Sequence, residues 1–199
     1  MLKLLQIFAK IAGKTVKSVP VESFAVDFKE APMFNQDPKE QEKLDSLHPK
    51  VRALVVKVLE KARAQGHAIY IFEAMRDYKR QEQLYAQGRD KNGNIVDKAK
   101  VVTYAKPGSS FHNYGLAVDF VFDGDQAKDK VQWSWANNHP WKAIGEIGES
   151  VGLEWAGRWT KFPEMPHQQI KGVTTAQLRL WYQEGGLAKV WSEIDKLND

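Results

Sequence analysis

The chain has 199 residues, 43% of them hydrophobic and 27% charged, which suits one globular domain and argues against a disordered chain. It contains no cysteine, so disulfides and thiolate metal sites are excluded, and any bound metal must be held by His, Asp or Glu. The net charge is +4, but Lys and Arg are scattered rather than clustered, which argues against a nucleic-acid partner.

No run of eighteen apolar residues is present, so no transmembrane helix is expected. In residues 1–17, Lys3, Gln6, Lys10, Lys14 and Lys17 fall near one helical face, with Leu4, Leu5, Phe8 and Ile11 elsewhere. This pattern predicts a short basic amphipathic helix, packed on the domain or in weak contact with a membrane surface. No small-residue cleavage site follows, so a cleavable signal peptide is not indicated. Pro20, Pro32 and Pro38 punctuate an irregular connection over 13–38. Residues 1–38 thus read as an N-terminal extension, and 39–199 as the main domain.

The domain opens on a helix from Pro49, with Val51, Leu54, Val55, Val58, Leu59 and Ala62 on its apolar face and Gly66 as its C-terminal stop. Ala68 to Phe72 predicts a strand. Asp77 to Gln87 predicts a helix with Asp77 as N-cap and Gly88 beyond its end. Residues 89–100 are polar and carry the turn pair Asn92-Gly93. Leu116 to Phe122 predicts a buried strand, followed by a polar excursion from Asp123 to Pro140 that carries Trp133 and Trp135. Lys142 to Val151 predicts a helix stopped by Gly152, and Glu154 to Trp159 another strand. Thr174 to Gln183 and Leu187 to Leu197 predict two closing helices separated by Gly185-Gly186. Helices early and late with short strands between predict an α+β fold: one domain with a small, mainly antiparallel sheet flanked by helices.

Three features could carry chemistry. Asp119 lies inside an apolar strand, and an isolated buried carboxylate is costly unless it is paired or binds a metal. His112 precedes that strand. Glu164 stands three residues before His167, and Arg76 follows the first strand. Each has an ordinary structural explanation; Asp119, for example, could pair with Arg76 or Arg158. His48, His67 and His139 sit in turn-like or polar contexts and are read as structural. Taken together, two imidazoles, one carboxylate and a nearby second carboxylate suit a catalytic zinc site with a general base. The helical H-E-x-x-H arrangement is absent.

The pattern Ser110-x-His112-x-x-Gly115-x-Ala117-x-Asp119 followed by Glu164-x-x-His167 resembles the zinc peptidases that include D-Ala-D-Ala carboxypeptidases, D-Ala-D-Ala dipeptidases and L-alanyl-D-glutamate endopeptidases. The stretches Ala105 to Ser110 and Gly152 to Trp159 look most like the last group, which includes many phage endolysins. The resemblance spans roughly residues 45–170. It implies that His112, Asp119 and His167 bind one zinc ion. It also implies that Glu164 is the general base and then acid, and that Arg76 and Ser110 contact the substrate or the oxyanion. Tyr114, Trp155 and Trp159 could line the cleft or serve as core aromatics. The implied substrate is the L-Ala-D-Glu bond of peptidoglycan stem peptides, cut by a monomer acting on the cell wall; lacking a clear cleavable signal peptide, the protein is expected to stay in the cytoplasm until lysis, or to use residues 1–12 as a signal anchor. The alternatives are a D-Ala-D-Ala carboxypeptidase of the same family or a non-catalytic wall-binding module.

The sequence departs from the endolysin-like pattern in four places. Glu164 is more typical of the D-Ala-D-Ala branch, because endolysin-like members often carry Asp there. Gln168-Gln169 follow His167 where an aromatic is expected. The 123–140 excursion is longer than usual. Roughly the first forty residues have no counterpart.

Overall fold

The computed structural model describes residues 38–128 and 130–197. The expected amphipathic helix and irregular connection of the N-terminal extension lie outside the described residues. The elements run α1 (Pro38–Asp45), α2 (Pro49–Ala64), β1 (Ile69–Glu73), α3 (Tyr78–Ala86), β2 (Ala117–Asp123), β3 (Trp133–Ser134), α4 (Trp141–Val151), β4 (Leu153–Trp155), β5 (His167–Ile170) and α5 (Thr175–Lys196). Short 3-10 turns occupy Lys98–Lys100, Phe111–Tyr114 and Ala156–Arg158. None of the described helices is long and apolar enough to cross a membrane.

All strand pairs are antiparallel, in the order β1-β2-β5-β4, with β3 also on β2. This is the expected α+β architecture. β2 is the central strand: β1 takes one edge, and β5 and β3 share the other, because both β1 and β5 pair with Asp119 and both β1 and β3 pair with Phe122. The apolar face of α2 (Val51, Val55, Val58, Leu59, Ala62) packs into one core with Ile69 and Ile71 of β1, Phe120 of β2, Ile144 of α4 and Leu178, Val190 and Ile194 of α5. Burial of this continuous apolar surface is the main force holding the sheet to its helices.

Local signals explain the boundaries. Pro49 lies in the first turn of α2, and His48 caps it by accepting from the Lys50 N–H at 3.2 Å. Asp77 caps α3 through the Arg80 N–H at 2.6 Å. α5 begins with a capping box between Thr174 and Gln177. Its regular helix is interrupted at Gly185-Gly186, where Gly186 has φ +67°. The two expected closing helices are therefore present as two segments of one interrupted element.

The strand expected over Glu154 to Trp159 is shorter than the pattern suggested. β4 ends at Trp155 and the chain turns through Ala156–Arg158. The cause is steric. A Cβ on Gly157 would lie 2.2 Å from the Trp155 indole, so only glycine lets the chain fold back over that ring. Three elements were not expected at all: α1, the two-residue β3 inside the excursion, and β5, which carries His167.

Candidate metal centre

The site is built across the sheet. Register aligns Glu73 of β1 with Asp119 of β2, and Asp119 with His167 of β5, so these three side chains form one row over three strands. A register irregularity between Ile71 and Glu73 bends β1 at that point. His112 enters from the 3-10 turn before β2. Its exit, Gly115, has φ +68°, and a Cβ there would stand 2.8 Å from the Ser46 carbonyl. Glycine is therefore needed to swing the chain from His112 into β2.

The polar atoms of His112, Asp119 and His167 converge. His112 Nε2 lies 3.1 Å from His167 Nδ1 and 3.2 Å from Asp119 Oδ2, while His167 Nδ1 is 3.0 Å from Asp119 Oδ1. All three ligand atoms fall within 4.8 Å of one another. A tetrahedral zinc with bonds of 2.0–2.1 Å holds its ligands roughly 3.3–3.4 Å apart, close to this arrangement.

The second ring nitrogens set the tautomers. His112 Nδ1 faces the Ala74 carbonyl at 2.6 Å, an oxygen that can only accept, so this nitrogen carries the proton. His167 Nε2 faces Gln169 Oε1 at 3.1 Å. The Gln169 amide is itself oriented, because its Nε2 donates to Glu154 Oε2 at 3.2 Å, across the β4–β5 pair where Glu154 and Gln169 stand opposite each other. Glu154 Oε1 accepts from Trp159 Nε1 at 2.7 Å. Both histidines thus turn their other ring nitrogen toward the same point beside a carboxylate. A proton on His167 Nδ1 satisfies this contact, and a divalent metal in its stead fits the place and the donor set.

The electrostatics follow from burial and proximity. Burial opposes ionisation of Asp119, but the two imidazoles, His112 foremost, outweigh it and hold the carboxyl well below the usual carboxylate range. Burial also pulls His167 down, but the hydrogen bond and charge of Asp119 more than reverse this and raise it. Glu164 moves the other way: burial is the largest influence and pushes its carboxyl up, with the charge of Asp119 adding to the rise. Its Oε2 lies 3.9 Å from His167 Nδ1, on the cleft side of the row.

Arg76 is buried and engaged on several sides. Its Nη2 donates to Glu73 and reaches Asp119 Oδ2 at 3.4 Å, and its Nη1 donates to Gln81 Oε1 at 2.9 Å. Its Nε is buried with no hydrogen-bond partner among the described residues. The pairing of Asp119 with Arg76 and its convergence with two histidines therefore coexist.

A cleft of about 860 Å³ runs over the site, lined by His112, Asp119, Glu164, His167, Arg76, Ser110 and Trp159 among others. Tyr114 and Trp155 are placed elsewhere. Tyr114 is fully buried and donates to the Gly108 carbonyl at 2.8 Å. Trp155 packs against Gly145 and Gly157 and donates to the Met165 carbonyl at 2.9 Å. Both are core aromatics rather than cleft walls. His48 and His139 are structural in position: one caps α2 and the other stacks on Phe122 at 4.5 Å.

Glu73, Glu154 and Gln169 escaped the reading of the sequence. The available signal was the strand period, since Gln169 lies two residues after His167 and must share its face once β5 is recognised.

Residues 44–176 match the model of a peptidase family described as VanY, D-alanyl-D-alanine carboxypeptidase. The chain is 37% identical over 131 residues to the peptidoglycan L-alanyl-D-glutamate endopeptidase CwlK of Bacillus subtilis, covering 62% of this chain and 73% of that protein. It is 27% identical over 135 residues to the L-alanyl-D-glutamate peptidase of Listeria phage A118, covering 66% of this chain but 41% of the phage protein. Among solved structures, the Serratia marcescens L-Ala D-Glu endopeptidase ChiX aligns at 20% identity with a TM-score of 0.47, over 72% of this chain and 95% of that one. By its sequence, the chain belongs to the VanY D-alanyl-D-alanine carboxypeptidase family of peptidases.

Proposed function

We propose that the chain is a zinc-dependent peptidase that hydrolyses the L-Ala-D-Glu bond of peptidoglycan stem peptides. The observation that carries this reading is the convergence of His112, Asp119 and His167 on one point, with the carboxylate of Glu164 beside it in the cleft. The choice of bond follows the two relatives whose names specify an L-alanyl-D-glutamate peptidase.

In this reading His112, Asp119 and His167 hold one zinc ion. Bound there, the ion supplies Lewis-acid polarisation and makes a nucleophile available from water near neutral pH. Glu164 accepts the proton of the attacking water and passes it to the leaving amine of D-Glu. Its raised carboxyl pKa, caused first by burial, brings proton affinity closer to neutral pH and suits both halves of that transfer. Arg76 anchors Asp119 and lends positive potential to the carbonyl oxygen as charge develops on it. Ser110 and Trp159 line the cleft where the stem peptide lies. Every residue of the proposed site comes from one chain, so a monomer suffices, and the site of action is the wall.

The test is digestion of purified peptidoglycan by zinc-loaded protein, with mass spectrometry of the products. New amino-terminal D-Glu is the expected result. Release of free D-Ala would overturn the bond assignment in favour of carboxypeptidase action. Intact peptides in the presence of bound metal would favour a wall-binding module.

A further inference from the structure

Two large aromatics stand exposed next to the cleft. Trp133 is 51% exposed and Trp135 44%, both in the excursion between β2 and α4, and neither belongs to the hydrophobic core. Phe72 at the end of β1 is held between them, edge to face, with ring centroids 5.2 Å from Trp133 and 4.9 Å from Trp135. The two indoles are nearly perpendicular, at 87°, and form an open corner. Phe72 and Trp135 also line the cleft that contains His112, Asp119 and Glu164, so the corner is continuous with the proposed catalytic site.

The corner is fixed in place. Gly124 N–H donates to the Gln132 carbonyl at 2.7 Å, Gln132 N–H to Asp123 Oδ1 at 2.9 Å, and Trp141 Nε1 to the Ala136 carbonyl at 3.0 Å. His139 stacks on Phe122 and bonds Ser134 Oγ at 2.7 Å. Exposed, rigid tryptophans at a cleft rim mark a recognition surface, because they offer large apolar area with little entropy left to lose.

We propose that Trp135 and Trp133 form a subsite for the glycan of peptidoglycan, with the muramic acid ring packed on Trp135 and the adjoining hexosamine toward Trp133. This inference rests on the reading of the site as an L-Ala-D-Glu peptidase. In that substrate the scissile carbonyl belongs to L-Ala, whose nitrogen is acylated by the lactyl group of muramic acid. One extended residue, about 3.5 Å, therefore separates the cut from the lactyl carbonyl. The sugar cannot leave the neighbourhood of the cleft while the bond is being cut. The apolar C–H face of a pyranose is the chemical complement of an indole face; Trp135 offers one at the cleft, and Trp133, with Lys43 Nζ 5.4 Å over its ring, adjoins it. A carboxypeptidase acting at the far end of the stem would place no sugar here.

The test compares a disaccharide-linked stem peptide with the same peptide lacking sugar. For wild type and the W133A/W135A variant, the ratio of kcat/KM for the two substrates is measured. The ratio is expected to fall about tenfold in the variant, as for loss of an aromatic anchor. A ratio within twofold of wild type overturns the subsite and leaves the two indoles as a cover for Phe72. The second measurement needs no variant: saturation-transfer NMR of zinc-loaded wild-type protein with the N-acetylglucosaminyl-N-acetylmuramic acid disaccharide, which has no peptide bond to cut. Saturation transfer to the ring protons supports the subsite, and its absence at millimolar disaccharide overturns it. If wild-type protein cuts neither peptide, the bond assignment fails, and the disaccharide measurement alone still decides the subsite.

Discussion

Replacing Gln169 by Ala tests whether the polar chain behind His167 sets the metal site. In the native arrangement the His167 ring donates from Nε2 to Gln169 Oε1, and that oxygen is presented because the amide nitrogen is held by Glu154. His167 and Gln169 are only 6% and 7% exposed, so water does not readily replace the lost acceptor. A buried donor left without a partner costs about 1–3 kcal/mol. The ring can recover part of this only by changing tautomer or turning, and either move takes the Nδ1 lone pair away from the point where a metal would meet His112, Asp119 and His167. Loss of such an orienting partner typically weakens metal binding about 10–100-fold, or about 1.4–2.7 kcal/mol. The assay is zinc competition against a chromophoric chelator at fixed pH, with circular dichroism as the control for folding. Q169A is expected to bind zinc about 10–100-fold more weakly. The E154Q variant is expected to fall between Q169A and wild type, because one amide oxygen cannot serve both Trp159 and Gln169. Excess zinc is expected to restore much of the kcat of Q169A, which separates a positioning role from a catalytic one. Zinc affinity within twofold of wild type in Q169A would show that Gln169 does not orient His167 for the metal.

Three further outcomes follow from the same geometry. Removing the metal with a chelator is expected to lower the melting temperature by about 5–11 °C from a state with zinc at a hundred times its Kd, a linkage of about 2.7 kcal/mol at about 2–4 °C per kcal/mol; identical melting curves would contradict it. Gly145→Ala places a Cβ 2.0 Å from the Trp155 ring and is expected to cost about 3 kcal/mol, read as a drop of about 6–12 °C by calorimetry. His48 is fully buried, and burial, the largest influence, depresses its pKa below 6.5. The folded state therefore binds this proton less readily than the unfolded chain, so the stability it contributes is present above about pH 6.5 and is lost as pH falls through the lowered folded value. The H48N variant keeps a capping side chain and is expected to flatten the fall in melting temperature of zinc-loaded protein between pH 7.5 and 5.5; an equally steep fall would remove His48 as the cause.

Much of this fold was legible because its elements announce themselves by period and punctuation. α2 shows a clean apolar face behind a proline, α3 has Asp77 at its cap, and the apolar run around Asp119 is the central strand. The odd carboxylate in that run was informative for a physical reason: the sheet can bury Asp119 only with Arg76, His112 and His167 around it. What was not legible lacked such patterning. β5 reads His167-Gln168-Gln169-Ile170 and has no apolar alternation, because its buried faces are polar: Gln168 donates to the Ile144 carbonyl at 3.0 Å and His167 faces the site. β3 is two residues long and exists only by pairing with β2. α1 carries six charged or amide residues in eight, and nothing in that composition separates it from a loop. Tyr114 and Trp155 are adjacent in sequence to site residues, yet their side chains point into the core, and sequence proximity alone cannot distinguish the two directions.

In the proposed mechanism Glu164 moves the proton at a metal site it does not hold together. The most direct measurement pairs zinc stoichiometry with turnover of a defined stem peptide in wild type and E164Q. One zinc per chain at similar affinity is expected in both proteins, with kcat in E164Q lower by about 10²–10⁴-fold. Full activity in E164Q, or activity lost together with the metal, would contradict it.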